Sequence, residues 1–380
     1  MVRFGAHYFL LFAVMATVYP YFQLLLRARG FAESEVGYLL GLLALAEVAG
    51  PMALGWAADR LGAHRRMLAA CLVAFALLVV PLGLTSAFWA AALLVLGIGF
   101  TARVPIPLAD TLASAHLPDP AHDYGRVRLW GSIGFITTLF GIRIFRLVDE
   151  TSSWSMISAM IVAVAVCLVS VFFLPGGASP ENTDGKGQGD GDGFDAVFWI
   201  FILVAALHML GMTSYYSFVT MYLHDKVGME SGAWVWAVGS ACEIPILFLG
   251  GRIIRRYGLR AMLMAAMGAA AVRLTVFAAA PYLWAVLPAQ ALHAATFGLF
   301  HAASIEFIRR KVPAARRGAA MAIYMSIAIA LTRLIGSAAG GVIIENRGYS
   351  TLYLTYALFP LAGLLIMAAA GSRRFALPAG

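Results

Sequence analysis

The sequence predicts an all-α membrane protein whose twelve transmembrane helices form two pseudo-symmetric six-helix bundles. Three observations predict it: apolar runs of membrane-spanning length, one polar break near the middle, and a repeat at constant offset across that break. Of the 380 residues, 62% are hydrophobic and 12% charged, whereas charged residues make up about a quarter of an ordinary soluble domain. A run of roughly 20 apolar residues crosses about 30 Å of hydrocarbon as a helix. Open strands cannot satisfy their backbone groups in lipid, so the spans are helical.

The expected spans are residues 6–26, 36–57, 67–85, 88–111, 128–147, 154–174, 196–223, 233–250, 261–279, 283–307, 319–343 and 350–371. The first apolar run shows no small-residue cleavage site after a short core and is read as a span, not a signal peptide. Between the sixth and seventh spans, PGGASPENTDGKGQGDGDGF (175–194) is rich in Gly and Asp and lacks any apolar period. It is expected to be a flexible cytoplasmic linker. The domains are then an N-terminal bundle, 1–174, a linker, 175–195, and a C-terminal bundle, 196–380.

The loops on one side carry most of the lysines and arginines, among them Arg60, Arg65, Arg66, Arg255, Arg256, Arg309, Arg310, Arg316 and Arg317. The other side has Arg27, Arg29, Arg146, Lys226 and Arg347. The positive-inside rule then puts both termini in the cytoplasm. That asymmetry accounts for the net charge of +8, so no nucleic-acid partner is inferred. Cys71, Cys167 and Cys242 fall inside spans without paired spacing, which suggests neither a disulfide framework nor a metal cluster. No cofactor is expected.

The repeat has an offset of 196 residues. It pairs Tyr19 with Tyr215, Glu47 with Glu243, Gly55 with Gly251, Arg60 with Arg256, Gly62 with Gly258, and Asp110 with Glu306. Several matches on one offset at equivalent span positions argue for a duplicated six-helix unit.

The loop GWAADRLGAHRR (55–66) between the second and third spans resembles the cytoplasmic loop signature of the major facilitator superfamily. The resemblance implies a conformational latch: Asp59 pairs with a neighbouring helix, Gly55 and Gly62 permit a tight turn, and Arg60, Arg65 and Arg66 face the anionic leaflet. In the second copy Arg255 replaces the aspartate.

A charge inside a span is costly unless it meets a cavity or a partner. The candidates are Glu47, Arg103, Asp110, Arg128, Arg143, Glu243, Arg273, Glu306 and Arg333, with the titratable His208, His293 and His301. Asp110 ends the fourth span and Arg128 begins the fifth. The connection between them, with Pro118 and Pro120, must turn back, so these two are expected to meet. Glu47 is open between a second proton site and a partner for Arg103.

The stretch YGRVRLWGSIGF (124–135) is similar to the fifth-helix motif of the oligosaccharide–proton symporters typified by lactose permease. It is more similar still to that of the phenylpropionate permease group. The resemblance implies that Asp110 and Arg128 bind solute, with Ser132 and Phe135 where a small residue and a stacking ring stand. In the second half Glu243, Arg273 and His293 match residues used for binding and proton coupling. Gln290, His293, Phe297 and His301 match the phenylpropionate group. Thr296 stands where lactose permease has its proton-carrying glutamate, and Tyr216 and Ile329 replace a charged pair, so that coupling route does not carry over.

Glu243 is the first candidate proton carrier, since burial and Arg273 act on a carboxyl in opposite senses. His293 is the second, with a structural ion pair and an interhelical hydrogen bond as the plainer roles of the two. Tyr19, Tyr21, Tyr215 and Tyr216 offer ring faces and hydroxyls to a flat solute. The resemblance implies a monomeric inner-membrane transporter working by alternating access, with a small solute, protons and the bilayer as partners. Two buried arginines and no lysine in any span favour a small organic anion, and the resemblance to the phenylpropionate permease group implies an aromatic carboxylate. A sugar or a nucleoside is the alternative, and a sensor that binds without transport the alternative class. No enzyme is expected, since no nucleophile–base pair or zinc-helix spacing is present.

Overall fold

The computed structural model describes residues 1–176 and 194–370, and among these there are helices and turns but no strand. Most of the expected linker, 177–193, lies outside the described residues. Helix α1 is Val2–Ala28, α2 Glu33–Leu61, α3 His64–Leu82, α4 Phe88–Ala102, α5 Pro105–His116, α6 Pro120–Phe145 and α7 Ser153–Val171. In the second half α8 is Ala196–Asp225, α9 Val235–Tyr257, α10 Leu259–Ala279, α11 Leu283–Ala291, α12 Phe300–Lys311, α13 Arg317–Ile323 and α14 Thr332–Ala369. Two π turns interrupt them, Ala294–Leu299 between α11 and α12 and Tyr324–Leu331 between α13 and α14.

The helices outnumber the crossings because several spans are broken. The fourth span is α4 and α5 together, Phe88–His116, broken where Pro105 removes a backbone donor. The eighth bends by 59° between Ile246 and Phe248, just after Pro245. The stretch Ala314–Ala369 is 56 residues long, about 84 Å of helix where about 30 Å spans a bilayer. It is two crossings, folded at Gly348, whose φ of 77° suits a residue without a Cβ. Dividing this stretch and counting the bent pair as one span gives twelve crossings among the described residues, the number the sequence predicts.

The chain divides into two compact units, Met1–Thr183 with Leu223–Ala237, and Asp184–Tyr222 with Val238–Gly380. This division departs from the sequence boundary in placing Leu223–Ala237 with the first unit. A buried carboxylate shows why. Glu150, 5% exposed, accepts hydrogen bonds from Ser231 Oγ at 2.7 Å and the Gly232 N–H at 3.0 Å, and lies 2.6 Å from His224 Nε2. Arg27 adds an ion pair to Asp225 at 2.7 Å.

In the first unit the helices approach closely at small residues, as membrane helices commonly do. A Cβ on Gly134 of α6 would overlap the Phe9 carbonyl of α1, and one on Gly99 of α4 would lie 2.6 Å from the Leu43 carbonyl of α2. In the second unit Phe201 of α8 stacks on Phe307 of α12 at 4.2 Å and on Tyr324 at 5.9 Å.

The repeat is visible in the backbone. Gly62 ends α2 with φ 59° and Gly258 precedes α10 with φ 84°, both left-handed and 196 positions apart. The expected role of Gly55 is corrected: it lies inside α2 with nothing within 4 Å of an added Cβ, so the turn needs Gly62 alone.

Gly134→Ala is expected to cost about 1–3 kcal/mol by overpacking and to lower the unfolding midpoint in detergent. Gly55→Ala is expected to be neutral or stabilising by up to about 1 kcal/mol. Equal midpoints for the two variants would contradict the close α1–α6 approach.

Candidate functional site

Among the described residues, charged groups within the spans gather around Asp110 and Arg128 in the first unit and around Arg273 in the second, with Glu47 and Arg103 a further pair in the first. In the first unit Asp110 lies within α5, six residues before its end at His116, and not at the end of the span as expected. The chain turns through an extended Leu117 and Asp119 caps α6 by accepting from the His122 N–H. The turn returns Arg128 to Asp110, with Nε 3.8 Å from Oδ1. That is an ion pair but longer than a hydrogen bond.

Two tyrosines hydrogen-bond at the pair: Tyr8 of α1 donates its hydroxyl to Asp110 Oδ1 at 2.5 Å, and the Tyr124 hydroxyl meets both Asp110 and Arg128. The Arg128 guanidinium lies over the rings of Phe12 at 4.4 Å and Tyr8 at 5.4 Å. Both side chains of the pair are 31% exposed. Arg128 thus keeps much of its fork of N–H donors clear of Asp110, the arrangement suited to a carboxylate. Sequence reading missed Tyr8 and Phe12, since nothing in local spacing ties α1 to α5 and α6.

Ser132, one turn beyond Arg128, is half-buried. Phe135 is buried at 8% exposure, because the close packing at Gly134 draws its neighbour inward. It is not the open stacking ring expected of it. Tyr19 also has an occupant, since Arg103 lies over its ring at 4.9 Å and pairs with buried Glu47 at 3.6 Å.

In the second unit the cluster centres on Arg273 of α10, which is fully buried. Its NH1 lies 3.0 Å from His293 Nδ1 and donates to Thr296 Oγ1 at 3.1 Å, while NH2 donates to Gln290 Oε1. The guanidinium rests on the Tyr215 ring at 3.9 Å, and Gln290 Nε2 donates to the Tyr215 hydroxyl at 3.3 Å. His293 Nε2 lies 2.7 Å from Glu243 Oε1. Gly239, one turn before Glu243, makes room: a Cβ there would lie 3.1 Å from the imidazole.

These contacts settle the histidine's protons. Arg273 has only donors, so Nδ1 must accept, and a neutral imidazole then carries its hydrogen on Nε2. That hydrogen points at the Glu243 carboxylate. A second proton on His293 would set an N–H against Arg273. Glu243 keeps a second oxygen and is 17% exposed.

Three expectations are corrected here. Glu243 and Arg273 do not form a direct pair, because His293 stands between them. Gln290 carries no titratable proton and orients Arg273 instead. Tyr215 is fully buried, its ring covered by Arg273 and its hydroxyl engaged by Gln290, so it supports the cluster and faces no solute. Tyr216 lies edge-on to His293 and to Phe297, at 6.3 and 6.2 Å.

In the loop expected to act as a latch, Asp59 pairs with His64, the first residue of α3, at 2.7 Å. Arg60 lies over Trp56 at 4.1 Å, Arg65 donates to the Leu174 carbonyl at 3.0 Å, and Arg66 is exposed.

Apolar crossings with paired charges inside them, among the described residues, define a multi-pass membrane protein. The chain belongs to the MFS_1 like family, matched over residues 1–355, and is a major facilitator transporter. It is similar to the maltose permease of Geobacillus stearothermophilus, 24% identical over 96% of this chain and 93% of that protein. It is also similar to the probable 3-phenylpropionic acid transporter of Escherichia coli K12, 26% identical over 91% of this chain and 92% of that one. The solved structure of a mutant nucleoside transporter, NupG, superposes with a TM-score of 0.86 at 17% identity, covering 98% of this chain and 99% of that one.

Arg273→Lys is expected to lower the unfolding midpoint sharply, since an ammonium cannot satisfy three acceptors in one plane, and broken buried charge networks cost about 3–5 kcal/mol. Arg128→Lys, at a half-exposed site, is expected to cost less than about 1 kcal/mol. Thermal unfolding of the purified variants checks the order, and equal losses would contradict it.

Proposed function

We propose that the protein is a proton-coupled symporter of a small organic anion, with an aromatic carboxylate of the phenylpropionate kind as its substrate, working by alternating access. The carrying observation is the pair of unequal arginines. Arg273 is enclosed and both its terminal nitrogens are engaged, so it holds the proton site. Arg128 is accessible, backed by two aromatic rings and only loosely paired with Asp110, so it binds the substrate carboxylate. The half-buried ring of Phe12 beside it suits an aromatic body.

In this reading Glu243 carries the proton. With His293 locked as a donor through Nε2, loss of the Glu243 charge turns a charge-assisted hydrogen bond into a weaker neutral one and loosens His293 from Arg273. Protonation of one carboxyl thus reaches a buried cation through a single imidazole. In this reading the protein is a monomer of the inner membrane with both termini cytoplasmic.

A second reading, a neutral sugar or nucleoside as substrate, is favoured by the Tyr8 and Asp110 pair, which offers hydroxyl-binding groups beside Arg128. The maltose permease and nucleoside transporter likenesses support it equally.

Uptake of labelled 3-phenylpropionate into proteoliposomes under an inward proton gradient tests both readings. Wild type is expected to accumulate the acid, Glu243→Gln to lose accumulation but keep counterflow exchange, and Arg128→Gln to lose both. Uptake of maltose or uridine in place of the acid would overturn the anion reading. Accumulation unaffected by Glu243→Gln would overturn the proton assignment.

A further inference from the structure

His208 lies in α8, fully buried, and belongs to neither cluster described above. Its ring stacks on Phe300 at 3.8 Å and 18°. Its Nε2 lies 2.8 Å from the Thr296 carbonyl oxygen, while Nδ1 has no partner among the described residues. A carbonyl only accepts, so Nε2 carries the hydrogen.

The Thr296 carbonyl is an unusual acceptor because it sits inside the Ala294–Leu299 π turn. In an α-helix it would receive the N–H four residues on, that of Phe300. Here the Phe300 N–H goes to the carbonyls of Ala295 and Phe297 instead. The π register takes the Thr296 carbonyl out of the α-helical pattern, and a buried carbonyl needs a donor. His208 supplies one from another helix.

The same residue faces the charge cluster on its other side, where Thr296 Oγ1 accepts from Arg273 NH1. One residue thus links His208 to Arg273, and through Arg273 to His293 and Glu243. We propose that His208 is a positioning residue for this proton site: its Nε2–H holds the π turn in register, and the turn holds Thr296 and His293 against Arg273. As a role in transport, this rests on the reading that Glu243 carries the proton. As a structural linkage it stands apart from that reading.

The test uses the full chain in lipid nanodiscs with 15N-labelled histidine, His208 and His293 being assigned by their loss in single variants. In wild type both rings are expected as neutral tautomers protonated at Nε2. A His208 protonated at Nδ1 with a bare Nε2 would overturn the proposal without any variant, since that ring cannot donate to the carbonyl. His208→Asn is too short to reach Thr296 and is expected to shift the His293 Nδ1 signal. His208→Gln, whose amide can donate over the longer reach, is expected to restore it.

A wild-type His293 signal in His208→Asn would also overturn the proposal. In the uptake assay His208→Asn is expected to lower gradient-driven accumulation about tenfold, the scale of a misplaced reacting group, with His208→Gln recovering most of it. If instead Glu243→Gln leaves proton-driven uptake intact, the proton reading fails while the histidine signals still decide the linkage.

Discussion

A guanidinium cannot be left alone inside a membrane protein, and Arg273 is entirely enclosed. A buried charge stripped of its partners costs about 3–5 kcal/mol, so its surroundings are organised to satisfy it. Gln290, His293 and Thr296 supply acceptors from one broken helix, and Tyr215 supplies a ring and a hydroxyl anchor. Each of these residues loses freedom as a result. The imidazole keeps one tautomer, the amide one orientation, and the helix a π register in which Thr296 can reach inward. The carboxylate at the end of this chain is Glu243, 2.7 Å from His293 Nε2.

The first unit solves a similar problem in the opposite way. Arg128 is left accessible, supported by the faces of Phe12 and Tyr8, while Tyr8 takes the Asp110 oxygen it would otherwise hold. The duplicated scaffold therefore carries different chemistry in its halves. Glu47 and Glu243 are 196 positions apart, yet Glu47 pairs with Arg103 and Glu243 with His293. The left-handed glycines at 62 and 258 keep the same place in both, because a turn depends on local backbone and a charge pair on distant helices.

That contrast explains what was legible in the sequence. Span length and hydropathy are local, so the twelve crossings could be read directly, and the proline-rich connection was enough to bring Arg128 back to Asp110. The break at Gly348 falls in the gap between the eleventh and twelfth expected spans, whereas the two π turns could not be read, because helix register in apolar sequence is decided by tertiary partners such as His208. The His293 bridge was missed for a related reason. Spacing places residues on helix faces, but only packing, here the missing side chain at Gly239, decides which of three facing groups stands in the middle. Gly55 shows the reverse error, a residue given a role by motif where the backbone makes no demand on it.

The central claim is that the mobile proton resides on Glu243 and not on His293. Infrared difference spectroscopy of the protein during acid titration tests it most directly. The account predicts a carboxylic C=O band that grows as the pH falls, moves in D2O, and is absent in Glu243→Gln. A band unchanged by that substitution, with imidazolium signals appearing in its place, would contradict it.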